Sequence, residues 1–252
     1  MKNILYRGYE ATLERSLNGK GLPKHIGVLV DGNRRWASLQ GEASGFGHSA
    51  GARKIIDFLG WCSDVGIKHT TLYLLSTDNL KGRDPEELED LIEIITSLSE
   101  ELAELGRWDL KVAGDFEALP AQHAQRLKAV ERKTDGIAPF QVNLAVAYGG
   151  RNEISQAVRK ILLDNAATGS TPEEIAELLT PENIAENLYT SGQPDPDLLI
   201  RTSGEQRLSG FMLWQSANSE FYFTEALWPD FRKVDFLRAM RDYQKRHRRF
   251  GS

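Results

Sequence analysis

Short apolar runs at residues 25–30, 69–75, 109–112, 140–147, 198–201 and 211–215 alternate with stretches of helical spacing. That alternation limits the fold more than any other feature of the chain. Strands joined through helices line up in parallel, and the helices cover both faces of the sheet. The class is therefore α/β, with a mainly parallel sheet flanked by helices. Helices are expected over residues 1–20 (apolar Ile4, Leu5, Leu13 and Leu17, ending at Gly19 or Gly21), Ser49–Val65, Glu117–Lys133, from Arg151 onward, and Val234–Phe250. Asp84-Pro85-Glu86-Glu87 reads as a helix start, with an Asp cap, Pro at the first helical position and Glu three residues after the cap. The helix that follows carries Leu88, Leu91, Ile92, Ile95, Leu98, Leu102 and Leu105 at helical spacing. That stripe is either ordinary core or the lining of an apolar tunnel. Thr171-Pro172 and Thr180-Pro181 start two short helices by the same logic, and Gln193-Pro194-Asp195-Pro196 is a rigid loop.

No linker, repeat or low-complexity segment interrupts the pattern, so residues 1–252 read as one domain. A chain of 252 residues with 40% apolar and 27% charged residues can bury a core without staples. The net charge of −5 gives nucleic-acid binding no support, and an anionic substrate must be met by local arginines. The lone Cys62 rules out an intrachain disulfide and sits in an apolar pattern, so a buried thiol is expected. No apolar run reaches the length of a membrane span, and the first residues lack a signal-peptide core. The expectation is a cytoplasmic protein. G-x-G-x-x-G and G-x-x-x-x-G-K-[ST] are both absent, so neither a dinucleotide fingerprint nor a Walker loop is present.

The stretch Lys24–Ala37, KHIGVLVDGNRRWA, carries the first chemical signal. An apolar run breaks at Asp31-Gly32-Asn33, as a buried strand entering a tight turn does. Open α/β sheets bind ligands at that edge. Gly32 permits close backbone approach to a ligand, and Arg34 and Arg35 offer forked donors for phosphate. Asp31 offers Mg2+ the carboxylate it prefers. The plainer alternative is a type I′ turn beside a solvated basic patch.

HIGVLVDGNRRWA resembles the first signature of the cis-prenyltransferases, the Z-isoprenyl diphosphate synthases. GHSAG at 47–51, LSTDN at 75–79, NLAVAYGGRNEI at 143–154 and DLLIRTSGEQRLSGFMLWQSANSEFYFTEALWPDF at 197–231 follow in that family's order. The resemblance implies a six-stranded parallel sheet in a homodimer with shared active sites. It divides the chain into a lead-in at 1–23, a catalytic core at 24–231 and a C-terminal helix and tail at 232–252. It also implies an activity, the joining of isopentenyl diphosphate to an allylic diphosphate with formation of a Z double bond, dependent on Mg2+. Within the family pattern the closest likeness is to the short-chain Z-farnesyl diphosphate synthases.

By the same resemblance Asp31 is the essential, metal-binding carboxylate. Gly32, Asn33, Arg34, Arg35 and His48 cradle the allylic diphosphate, and Trp36 covers the site. A lone His before a helix is otherwise structural, and only the family pattern reverses that. The family's Arg four residues before His48 is here Ser44, leaving Arg34 or Arg35 to compensate. Ser76, Thr77, Asp78 and Asn79 match the segment after the second strand. Asn79 orients or relays the proton, although an amide is not a strong base and the released diphosphate is an alternative acceptor. The family's Trp after that Asn is Leu80, and the Arg that follows is displaced by one, to Arg83. Arg201, Arg207, Leu208 and Ser209 match the isopentenyl diphosphate side, with Glu205 buttressing the arginines. Glu220 matches a second metal-linked carboxylate that reaches the partner's site, and Arg249 matches an R-x-G contact across the dimer. Leu74 stands where the growing chain leaves the phosphates, so a short product from geranyl diphosphate is expected. The alternatives are a medium- or long-chain polyprenyl diphosphate synthase, a non-catalytic accessory subunit of the same fold, and an irregular coupling of two dimethylallyl units. The last is disfavoured by the intact isopentenyl-side signature. A lipid product also leaves room for peripheral membrane contact.

Overall fold

The computed structural model describes residues 2–17 and 21–246, with side chains from residue 8 onward. Along the chain the elements are α1 Lys2–Ser16, β1 His25–Leu29, α2 Asn33–Leu39, α3 Ser44–Asp64, β2 His69–Ser76, α4 Thr77–Gly82, α5 Pro85–Leu105 and β3 Asp109–Ala113. There follow α6 Ala121–Thr134, β4 Gln141–Tyr148, α7 Gly150–Ala167, α8 Pro172–Leu178, α9 Pro181–Glu186, β5 Leu198–Arg201, β6 Glu220–Phe223 and α10 Lys233–Lys245. The expected positions Ile4, Leu5, Gly19, Arg248, Arg249, Phe250 and Gly251 lie outside the residues or side chains described.

All strand pairs are parallel, in the order β3-β4-β2-β1-β5-β6. β1, β4 and β5 are buried along nearly their whole length, as strands covered on both faces must be, while β2 is buried over its middle and opens toward its carboxyl end. Register decides what meets at the carboxyl edge. Leu29 of β1 lies opposite Tyr73 of β2 and Arg201 of β5, so residues 30–31, 74–76 and 201–203 leave the sheet side by side. The β2–β4 ladder is irregular: Tyr73 pairs with Ala145 and Leu75 with Val146, leaving Leu74 with no partner. Such irregularities re-aim a side chain beside a site.

Between the sheet and α3, α5 and α10 lies the main core, in which the ring of Phe58 packs against Trp228, Phe231 and Phe236. Truncating a ring so placed costs roughly 3–5 kcal/mol. Burial drives the Cys62 thiol pKa far up, which makes it an inert core group. The helix starts of α5 and α8 form as read. Asp84 accepts from the Glu86 and Glu87 amides, and Thr171 closes a capping box with Glu174.

Four expectations are corrected. The residues after Gly32 are helical, not a simple turn, because α2 begins at Asn33. α3 starts at Ser44, five residues before the expected Ser49, so His48 lies inside the helix instead of ahead of it. The expected helix from Glu117 is split, since Pro120 ends a short 3-10 turn at Phe116–Ala118 and α6 starts after it. Finally, residues 211–215 form turns, and the sixth strand is Glu220–Phe223. Ser209, Gly210 and Met212 all have positive φ, and three such residues within four positions break regular β backbone. The segment is fixed instead by bonds. The Gly150 amide donates to Gly210 O at 2.7 Å, and Gln215 Nε2 donates to Glu153 Oε1 at 3.1 Å. The Glu153 carboxylate also accepts from the Tyr148 hydroxyl at 2.5 Å and the Tyr189 amide at 3.0 Å, and burial raises its pKa.

Candidate active site

One cavity of about 630 Å³ opens at the carboxyl edge of the sheet. Its mouth is lined by Asp31, Gly32, Asn33, Arg34, Arg35, His48, Ser76, Asp78, Asn79, Arg83, Arg201 and Ser209. Its inner wall is apolar and runs between α3 and α5 through Ala52, Ile55, Leu74, Leu75, Leu91, Ile94, Ile95 and Leu98. The α5 stripe therefore serves both readings: Leu91, Ile95 and Leu98 face the cavity, while Ile92 and Leu102 are buried in the core without lining it.

Asp31 is held from two sides. Its backbone N–H donates to Thr202 Oγ1 at 3.0 Å, and the same hydroxyl donates to Asp31 O at 2.7 Å. Arg201 Nη2 donates to Asp31 Oδ2 at 2.8 Å. The Arg201 side chain is only 6% exposed while the Asp31 carboxyl is 40% exposed, so the pair has one foot in the protein and one in the cavity. Arg201 Nη1 also donates to Ser209 Oγ at 2.8 Å and to Arg207 O. Two β ends and the 207–209 loop are thereby tied into one surface. Tyr73 extends it, its hydroxyl donating to Ser209 O at 3.2 Å, and burial pushes its pKa up to about 12.

Gly32 has φ 103, and a Cβ there would come within 2.9 Å of Leu227 Cδ2. The close approach that the glycine permits is thus to Leu227. The glycines of GHSAG have a second packing role. A Cβ on Gly47 would meet Asn33 O at 2.2 Å, and one on Gly51 would meet Asn33 Oδ1 at 2.3 Å. They let α2 settle against α3 and bring Asn33 and His48 to the same wall.

On that wall His48, Arg34, Arg83 and Glu87 converge. Arg83 Nη1 donates to Glu87 Oε1 at 2.6 Å and lies 3.4 Å from His48 Nε2. Burial, reinforced by the charge of Arg83, lowers the His48 pKa to about 4, so the imidazole is neutral at pH 7. Arg83, displaced by one residue in sequence, still reaches the cavity. Burial and the neighbouring Arg34 lower its pKa.

Other expected residues stand elsewhere. Trp36 does not cover the cavity. One residue beyond Arg35 on a helix, it turns aside and stacks on Phe46 at 5.6 Å. Ser44 opens α3 outside the cavity lining, Thr77 packs against Gly149, and Leu208 packs beside Phe211 and Tyr73. Glu205 buttresses Arg35, at 3.6 Å, and Arg207, whereas the carboxylate on Arg201 is that of Asp31. Arg207 is 65% exposed at the rim, where only its backbone oxygen engages Arg201. Glu220 lies opposite Leu198, at the amino end of β6, and accepts from Arg246 Nη1 at 2.7 Å. It does not line this chain's cavity. Arg249 lies outside the described residues. Thr202, Tyr73 and Glu87 join the site beyond the residues that the sequence motifs assign. Thr202 was legible as part of the IRTSGE run, while Glu87 carried only a helix-start signal.

Among the described residues no group of three or more His, Cys, Asp or Glu side chains could hold a metal ion. Mg2+ is bound by one or two carboxylates together with substrate phosphates, and Asp31 presents one carboxylate of that kind to the cavity. No helix among the described residues is long and apolar enough to cross a membrane.

Residues 29–251 match the prenyltransferase family model described as "Putative undecaprenyl diphosphate synthase". The chain is 56% identical over 256 residues to a (2Z,6E)-farnesyl diphosphate synthase of Mycolicibacterium smegmatis, covering 100% of this chain and 97% of the relative. It is 57% identical over 248 residues to one from Thermobifida fusca, covering 98% and 97%. Among solved structures it resembles lavandulyl diphosphate synthase from Lavandula x intermedia in complex with dimethylallyl diphosphate, with a TM-score of 0.85 and 33% identity, covering 92% of this chain and 100% of that one.

Proposed function

The chain belongs to the cis-prenyltransferase family, and on that premise we propose that it is a short-chain Z-prenyl diphosphate synthase. It condenses isopentenyl diphosphate with an allylic diphosphate, geranyl diphosphate before others, to a product such as Z,E-farnesyl diphosphate. The observation that carries this reading is the continuity of one cavity, with a cationic mouth and an apolar wall. The names of the farnesyl-forming relatives support the product length.

Two diphosphates must be held together against their repulsion. Arg34, Arg35, His48, Arg83 and the Asn33–Gly32 backbone receive the allylic one. Arg201, Arg207 and Ser209 receive the isopentenyl one, with Leu208 fixing the loop between them. Asp31 would hold Mg2+, which when bound supplies positive charge to the departing diphosphate. The allylic C–O bond breaks with its electron pair leaving on diphosphate, a C–C bond forms to the isopentenyl unit, and one proton leaves that unit. Asn79, whose amide is no base, orients the isopentenyl unit, and the released diphosphate takes the proton. The guanidiniums are aimed where negative charge accumulates, the largest common source of rate. Ile55, Leu75, Leu91 and Ile95 exclude water from the prenyl chain.

The active form is a homodimer in the cytoplasm, with Glu220 and Arg249 serving the neighbouring site. Contact with a membrane surface arises only through a lipid product. The test is incorporation of radiolabelled isopentenyl diphosphate by the lone purified chain with Mg2+ and geranyl or farnesyl starters, followed by chromatography of the dephosphorylated products. Farnesol-length alcohol is expected. Chains of decaprenyl length or longer would move the enzyme to the long-chain class, and no incorporation would make it an accessory subunit.

A further inference from the structure

Glu87 Oε1 lies 2.6 Å from Arg83 Nη1, 3.7 Å from His48 Nε2 and 3.9 Å from Arg34 Nη1. One carboxylate oxygen thus sits among three nitrogens from three different elements, all of which line the cavity. That is the arrangement in which a phosphate oxygen would be received. Arg83 is 10% exposed, His48 6% and Glu87 22%, so these three are largely desolvated, while Arg34, 59% exposed, closes the cluster from the solvent side. Two guanidiniums brought together there repel unless an anion lies between them, and Glu87 supplies it. The buried Arg83 Nε has no hydrogen-bond partner among the described residues, which leaves this guanidinium with an unused donor.

We propose that Glu87 is a specificity-determining carboxylate that competes with the allylic diphosphate for Arg34, His48 and Arg83. The inference rests on the assignment of these three residues to the allylic side. A phosphate oxygen cannot share the position of Glu87 Oε1, and two anions there would repel each other. Binding therefore requires the Glu87 side chain to turn toward solvent. The first turn of α5 permits this, because its cap is made by Asp84, not by Glu87. The displacement weakens substrate binding by a set amount and returns the arginines to Glu87 when diphosphate leaves. It also explains how a site with several arginines avoids holding its diphosphate product too tightly.

The experiment measures calorimetric affinity for geranyl S-thiolodiphosphate, an unreactive allylic diphosphate, in wild type, Glu87→Gln and Glu87→Ala. Melting curves on the same samples confirm that each is folded. Competition predicts affinity tighter by roughly tenfold in both variants, the scale of one charge-assisted hydrogen bond. Affinity for isopentenyl diphosphate should not change, and the gain should vanish when Arg83→Ala is added. Weaker binding in both variants would mean that Glu87 merely orients Arg83, and would overturn the proposal, as would unchanged affinity. If wild type itself bound no geranyl S-thiolodiphosphate, the assignment of the allylic side would fall, and this inference with it.

Discussion

Arg201 Nη2 and Asp31 Oδ2, 170 residues apart in the chain, meet at 2.8 Å at the ends of two neighbouring parallel strands. The bond neutralises a buried guanidinium and leaves the carboxyl open to the cavity. It also joins the two halves of the site, since Arg201 reaches Ser209 with its other terminal nitrogen.

Removing the carboxylate should cost catalysis far more than folding. Asp31→Ala is expected to lose on the order of 10²-fold or more in kcat, the scale of a lost charge-stabilising group. Arg201 keeps its bonds to Arg207 O and Ser209 Oγ, so the stability loss is held to roughly 1–3 kcal/mol. Steady-state kinetics and thermal melting on the same sample check both parts. Near-normal turnover would remove Asp31 from the centre of the site.

Product length should respond to Leu74. Its place at the ladder irregularity turns it into the apolar wall, where each added isoprene unit must pass it. Forcing extra methylenes into a packed apolar site costs roughly 1–3 kcal/mol. Leu74→Ala is expected to lengthen the product distribution while the first condensation proceeds, as read by chromatography of the alcohols. An unchanged distribution would place the length barrier elsewhere.

Acid should destabilise the fold through two histidines. Burial holds His25 and His48 at pKa values of about 4, below the ordinary 6.5. Between those values the unfolded chain binds more protons than the native one. The stability is therefore whole above about pH 6.5 and declines as pH falls toward about 4, by roughly 3 kcal/mol per histidine at most. Urea midpoints at pH 7 and 4.5 measure the decline. His25→Asn and His48→Asn should each flatten it, and equal slopes in all three proteins would contradict the assignment.

Glu220 supplies a test of assembly. It lies outside its own chain's cavity, and on the shared-site proposal it acts in the neighbour's. Asp31→Ala and Glu220→Ala chains, each nearly inactive alone, should regain activity on mixing, because a hybrid dimer contains one intact site. No recovery, or light scattering that shows an active monomer, would count against shared sites.

Arg83 and Arg201 should separate the two substrates. Arg83→Ala is expected to raise the allylic KM roughly tenfold or more with little change for isopentenyl diphosphate, and Arg201→Ala to do the reverse. Parallel increases in both constants for Arg83→Ala would merge the two subsites.

The sequence by itself determined the layer architecture. Its apolar runs and helical stripes argue for a mainly parallel sheet with covered faces, and the caps at Asp84 and Thr171 mark helix starts by local chemistry alone. It also marked the strand ends from which Asp31, Ser76 and Arg201 leave the sheet. Only the tertiary structure decided what those residues touch. Positive φ at Ser209 and Met212 turned an apolar run that reads as a strand into a folded loop, because the bonds of Gly150 and Glu153 outweigh β propensity. Trp36 faced away from the cavity once α2 formed, since one residue on a helix rotates the side chain by about 100°. Arg83 joined His48 despite its displaced position, and the carboxylate of Glu87, read locally as part of a helix start, settled among three cavity nitrogens. Contacts across 35 to 170 residues depend on strand register and helix packing, which no local pattern encodes.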